Sequence, residues 1–260
     1  MSLYNDIQPY TIESCCLSIP RIYLSVPLHK AALVALDRQS AQHVTRVLRM
    51  KPGAALIVFN GQGGEYAATL ESEQRGTATI KIGDFIARDA ESKLSVQLAQ
   101  GISRGERMDY AIQKAVELGV AQIVPLFTEF CVVNMKEERA EKRLAHWQGI
   151  AISACEQCGR TRVPEILVPR SLHEWLAQTQ ANLKLVFDPY GTQRLAQLPP
   201  PAGDIALLIG PEGGLSAPEL QALGQIGYRA VTLGPTILRV ETAVVAAISA
   251  VKQAKSSVGP

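Results

Sequence analysis

LLIGPEGGLSAPEL, residues 207–220, runs an apolar strand pattern into a Gly-Pro turn and then into a helix start. Ser216 and Glu219 stand at capping-box spacing, which places the helix from Ala217 onward. Phosphate-binding loops share this strand–turn–helix layout, but they need a lysine and a Ser/Thr after the last glycine. GPEGGLS supplies no lysine and sets Glu212 where a phosphate oxygen would meet like charge. A dinucleotide fingerprint would read GxGxxG early in a βαβ unit, followed by an acid at the next strand end. Neither the spacing nor the C-terminal position fits, which argues against a nucleotide-dependent dehydrogenase.

A second turn of the same character, LGPTILRVETA at 233–243, again closes a strand and opens a helix. Two such turns at adjacent strand ends would form a crevice at the carboxyl edge of an open α/β sheet, where ligands bind. Glycine lets backbone approach a flat ligand, and free N–H and C=O groups can read its edge. Leu207, Ile209, Leu233, Ile237 and Leu238 would wall a neutral, partly apolar pocket.

Outward from these turns the C-terminal part alternates strands and helices. LSVQLAQGI, AQIVPLFT, VPEILV, LKLVFDPY, DIALLIG and RAVTLG read as strands. ERMDYAIQKAVELG, KEERAEKRLAHWQGIAISACEQCG, SLHEWLAQ, APELQALGQIG and VETAVVAAISAVKQ read as helices. Met108, Ile112, Ala115 and Val116 share one helix face, and Gly119 is the stop. This rhythm predicts a mostly parallel sheet covered on both faces, over residues 93–255. The last helix is apolar nearly all round, which predicts deep burial or a subunit interface.

Residues 19–88 differ. Short β runs (RIYLSV, ALIVFNG, GEYAATLES, TATIKIGDFIA) surround one helix, SAQHVTRVLRM, which Pro52–Gly53 ends. This part holds nine Lys/Arg against five Asp/Glu, while residues 89–260 balance at seventeen each. A small basic barrel is expected, with Arg88–Lys93 as the linker; the excess fits RNA contact or a solvated surface. The whole chain, 260 residues with net charge +2, carries no polyanion-binding signature. No stretch is long and apolar enough for a membrane span, and residues 1–18 lack the layout of a secretory signal. They read as a disordered or extraneous leader. Five cysteines without a signal point to reduced thiols in the cytoplasm.

The two Gly-Pro turns, together with HVTRVLRMKPG (43–53), ELGVAQIVPL (117–126) and ACEQCGRTRVPEI (154–166), resemble the SPOUT superfamily of trefoil-knotted, S-adenosylmethionine-dependent RNA methyltransferases. The likeness runs from about Ile19 to Lys252 and is similar to the branch acting on N3 of a uridine in 16S rRNA of the small ribosomal subunit. It implies a PUA-like RNA-binding barrel, a knotted α/β domain and a homodimer. It also implies that the cofactor lies against Phe187, Asp188, Ile209, Gly210, Pro211, Glu212, Gly213, Leu233, Gly234, Ile237 and Leu238.

Several residues carry further expectations. Arg21, His43, Arg46, Arg49, Arg104 and Arg162 are candidates for RNA contact, with arginines on phosphates and His43 available to stack on a base. Glu156, Gln157, Arg160 and Arg162 crowd a helix end and suggest an active-site rim, although arginines are favourable there without function. Uracil N3 must lose a proton before it attacks, and the C-terminal motifs hold no histidine. Arg239 and Arg160 are placed to hold developing charge on uracil oxygens, with Arg160 positioning the RNA. Glu212 or Glu241 would accept the proton if burial raised its pKa. Alternatively the arginines pair with these glutamates and only brace the turns. Cys155-x-x-Cys158 lacks two further ligands for a structural zinc site, so no metal is expected. Trp147 and Trp175 read as core. The rival function is a non-catalytic RNA-binding factor in ribosome assembly.

Overall fold

The computed structural model describes residues 19–74, 76–131, 137–198 and 203–256. The expected leader, 1–18, lies outside the described residues. Two compact units emerge, whose described parts are 19–60 with 65–86 and 61–64 with 87–256.

The first unit is a five-stranded sheet of β1 (Arg21–Tyr23), β2 (Leu33–Ala35), β3 (Ala55–Phe59), β4 (Glu65–Gln74) and β5 (Thr77–Ile86), in the order β1-β3-β4-β5-β2. β1 and β3 are parallel; the other pairs are antiparallel. Alternation turns Ala78, Ile80 and Ile82 of β5 inward, where they join Ile22, Leu56, Val58 and Leu70 in one core. Leu33 of β2 is exposed, so this short edge strand leaves no alternating pattern in the sequence.

The single expected helix is two pieces. Asp37 caps α1 (Arg38–Gln42), its carboxylate accepting the Ser40 N–H at 2.9 Å. A π-helical turn, His43–Val47, follows. Buried Val44 anchors it to the core, and the widened turn leaves His43, Arg46, Val47, Leu48 and Arg49 on the outside. Arg49 has φ +52°, a conformation a side chain adopts only under constraint.

The second unit is a parallel sheet of β6 (Val96–Gly101), β7 (Gln122–Phe127), β8 (Glu165–Ile166), β9 (Arg170–Ser171), β10 (Leu183–Phe187), β11 (Gln193–Arg194), β12 (Ile205–Ile209) and β13 (Arg229–Thr232). Its order is β11-β13-β10-β12-β6-β7-β8, with β9 beside β7. The helices are α2 (Glu106–Glu117), α3 (Glu137–Cys158), α4 (Leu172–Leu176), α5 (Ala217–Gln225) and α6 (Val240–Ser256).

All five residues of central β12 are buried, as a strand covered on both faces requires. On one face Ala206 and Leu208 meet Leu172, Trp175 and Leu223 of α4 and α5. On the other, α6 packs on β12 and on α2, which also packs on α3. Trp147 and Trp175 are core. Both capping boxes form, at Ser171–Glu174 and Ser216–Glu219. Last-helix burial is one-sided: Val240, Val244, Ala247, Ile248 and Val251 are buried, whereas Ala243, Val245, Ala246 and Ala250 are half-exposed.

One geometric expectation is corrected. The two Gly-Pro turns do not follow neighbouring strands, because β10 lies between β12 and β13. Since all three strands are parallel, their carboxyl ends share one edge. The turn after β10, Asp188–Pro189, therefore sits between the two others.

Candidate functional site

A cleft of about 370 Å³ opens at this shared edge. Phe187, Asp188 and Pro189 leave β10; Ile209, Gly210, Pro211, Glu212, Gly214 and Leu215 leave β12; Ile237 to Glu241 lead into α6. Leu220, Ala243 and Arg107 complete the lining. A smaller adjoining lobe is lined by Leu233, Thr232, Thr236 and Val231. The volume suits a cofactor-sized molecule.

Most of the expected cofactor residues therefore come together: Phe187, Asp188, Ile209, Gly210, Pro211, Glu212, Ile237 and Leu238 line the cleft and Leu233 its lobe. Gly213 and Gly234 line neither. A Cβ on Gly213 would lie 2.7 Å from Cβ of Phe130, so this glycine is needed for packing behind the turn.

Two supporting residues escaped sequence reading. A Cβ on Gly101, the last residue of β6, would lie 2.5 Å from both N and Cδ of Pro211, so the first turn rests directly on the strand end. The buried side chain of Gln100 donates to the Gly101 carbonyl at 2.9 Å and lies 3.5 Å from those of Ile209 and Gly210. A polar residue in a buried strand, followed by a glycine at the strand's carboxyl end, was the available signal.

Glu212 is not a poised base. Its Oε1 accepts the Arg104 N–H at 3.1 Å and pairs with the Arg107 guanidinium at 3.2 Å. Burial pushes its carboxyl up, but hydrogen bonds from the Arg104 amide, its own amide and Arg107 outweigh this, and the net direction is below the ordinary value. At neutral pH it stays ionised and ties the turn after β6 to the turn after β12. Arg104 is placed beside the cleft through its backbone, with its side chain exposed.

Arg160 is also corrected. Its side chain is only 6% exposed and pairs with Glu91 at 2.6 Å. Its Nη1 donates to the carbonyls of Val116 and Val120 at 3.1 and 2.9 Å, satisfying groups at the end of α2. A guanidinium so enclosed braces the fold and does not line the cleft. Arg21 is likewise withdrawn from the surface: it pairs with buried Glu65 and lies 4.9 Å over the Phe59 ring. Arg162, by contrast, is exposed, and its backbone N–H donates to Glu91 at 3.1 Å. Among the described residues, no acid, histidine or cysteine cluster could hold a metal ion.

Arg239 lines the cleft, is exposed and forms no ion pair among the described residues. Glu241, two residues on, has Oε2 buried without a hydrogen-bond partner there. The arginine–glutamate pairs expected as the alternative therefore do not form between Arg239 and either acid.

Comparison with known proteins places this arrangement. A family model described as an RNA methyltransferase domain matches residues 90–252, and one described as an RNA methyltransferase PUA domain matches 36–83. The Ribosomal RNA small subunit methyltransferase E of Buchnera aphidicola (from Schizaphis graminum) is 39% identical over 90% of this chain and 96% of its own. The chain belongs to this methyltransferase family. Two solved relatives share its fold. A Legionella pneumophila methyltransferase in complex with S-adenosylmethionine has TM-score 0.89 and 38% identity, covering 92% of this chain and 98% of its own. The Neisseria gonorrhoeae ribosomal RNA small subunit methyltransferase E bound to S-adenosylmethionine has TM-score 0.84 and 40% identity, covering 91% and 98%. The α/β fold with its parallel sheet and the PUA-type unit are therefore those of an RNA-methylating enzyme family.

Proposed function

We propose that this protein binds S-adenosylmethionine in the cleft at the ends of β10, β12 and β13 and methylates N3 of a uridine in 16S rRNA. The cleft carries the reading: apolar walls and two backbone-rich turns meet at one sheet edge, in a chain whose solved relatives hold this cofactor. Ile209, Leu215, Leu220 and Leu238 suit an adenosine, the turns offer backbone donors and acceptors, and the unpartnered Glu241 oxygen awaits a donor. When bound, the sulfonium supplies an already electrophilic methyl group. The chain must orient the uracil and stabilise it without its N3 proton. Arg239 is the accessible guanidinium for charge developing on the uracil oxygens. Incubating the protein and 16S rRNA with methyl-labelled cofactor, then identifying the modified nucleoside by mass spectrometry, tests the reading. Absence of transfer to RNA would favour the non-catalytic assembly factor.

The first unit supplies the RNA grip in this reading, as a small PUA-like barrel. His43 and Arg46 stand exposed on the π turn and Arg49 just beyond it, near the exposed apolar side chains of Val47 and Leu48. Replacing Arg46 and Arg49 together with alanine should weaken RNA binding and lower the slope of log affinity against log salt by up to about 2. An unchanged slope would move the phosphate contacts elsewhere, with Arg104 and Arg162 next to be tested.

The second unit is read as SPOUT-type, with the chain threaded as a trefoil knot around the cofactor turns, and as a homodimer. The half-exposed apolar face of α6 supports the latter, since monomers rarely leave such a surface in water. Light scattering at micromolar concentration should give twice the chain mass; a fully active monomer would remove the dimer. A ribosomal RNA substrate fits the cytoplasm, and no described helix is long and apolar enough to cross a membrane.

A further inference from the structure

Glu241 occupies the first turn of α6 and lines the cleft, and its Oε2 is buried with no hydrogen-bond partner among the described residues. A buried carboxylate oxygen without a donor is costly, so one that faces a ligand cleft points to a donor on the ligand. The other acids of the cleft are engaged. Glu212 holds Arg107 and the Arg104 amide, and Oδ1 of Asp188 accepts the Tyr190 N–H at 3.1 Å. Arg107, the one guanidinium beside Arg239 in the lining, is already paired with Glu212.

We propose that Glu241 anchors the α-ammonium group of the cofactor's methionine arm. The inference rests on the assignment of the cleft to S-adenosylmethionine and specifies which end of that molecule this carboxylate holds. Of the cofactor's donors, the ribose hydroxyls and the adenine amine are neutral and would leave the buried negative charge uncompensated. The sulfonium is cationic but has no N–H to give. Only the ammonium combines full positive charge with hydrogen-bond donors, and charge-assisted bonds are the strong ones. A carboxylate held in this way is not available to accept the uracil N3 proton, so activation of the base falls to Arg239 and to solvent.

The test is calorimetric titration of the full chain and its Glu241→Gln variant with two probes. S-adenosylhomocysteine keeps the ammonium and lacks the sulfonium charge; 5′-methylthioadenosine keeps the adenosine and the sulfur and lacks the amino-acid arm. Glutamine preserves shape and removes charge. The variant should lose about ten- to a hundredfold in affinity for S-adenosylhomocysteine, the usual range for a charged hydrogen bond. Its affinity for 5′-methylthioadenosine should stay within about twofold, which also reports an intact cleft. Equal losses for both probes would assign Glu241 to the adenosine and overturn the proposal. Unchanged affinity for S-adenosylhomocysteine would overturn it too. Failure of the unsubstituted chain to bind S-adenosylhomocysteine would instead remove the cofactor assignment itself. Glu241→Ala, with a thermal melt to check folding, should reproduce the same split between probes.

Discussion

Replacing Arg239 with lysine is expected to cut methyl transfer by about a hundredfold or more, the scale seen when a donor to a developing oxyanion is lost. Arg239 lines the cleft from the turn before α6, and no carboxylate of the described residues neutralises it. Lysine keeps the charge but not the planar fork that spans two acceptors, so the loss should appear in turnover. Affinity for S-adenosylmethionine should change by less than about threefold, because the cofactor's walls and turn backbone are untouched. The pH profile supplies the sign. If Arg239 favours the deprotonated uracil, the variant needs a higher pH to reach the same fraction of anion, so raising pH should recover part of its rate more steeply than in the unsubstituted protein. Turnover at the normal level near neutral pH would remove Arg239 from the chemistry.

Gly101→Val should weaken the cofactor site strongly while altering no residue of the cleft lining. A Cβ there would stand 2.5 Å from Pro211 N and 2.8 Å from Gly210 C, backbone atoms that cannot rotate aside. The turn carrying Gly210, Pro211 and Glu212 must shift, and overpacking of this kind costs about 1–3 kcal/mol or more. Affinity for S-adenosylhomocysteine should fall at least about tenfold in a chain that still melts cooperatively. Normal affinity in a folded Gly101→Val variant would show that the turn's position does not govern binding.

How much was legible before the structure depended on whether the signal was local. Strand–helix alternation after Lys93, the capping boxes at Ser216 and Ser171, and the buried face of α2 are set by periodicity and by side chains three or four residues apart. The two Gly-Pro turns were equally readable, because a turn's chemistry lies within a few residues of chain. Short pieces were not: β2, β9 and β11 span two or three residues, too few to alternate. The π turn at His43–Val47 was hidden because its side-chain pattern differs little from that of an α-helix over one turn.

The sequence alone determined the parallel α/β class, the turns that build the site and, through their likeness to one family, the class of chemistry. It could not decide which charges meet. Arg160 and Arg239 are both arginines beside glycine-containing motifs, yet Glu91, far away in sequence, draws Arg160 into the base of α2 while Arg239 is left facing the cleft. Glu212 and Glu241 look alike in their motifs; only the approach of the turn after β6 and the start of α2 brings the Arg104 amide and Arg107 to the first and leaves an oxygen of the second alone. Strand order was equally out of reach, since it took packing to insert β10 between β12 and β13 and bring three turns to one edge. Pairing of charges and order of strands depend on contacts between residues far apart in the chain, and local pattern carries no information about those.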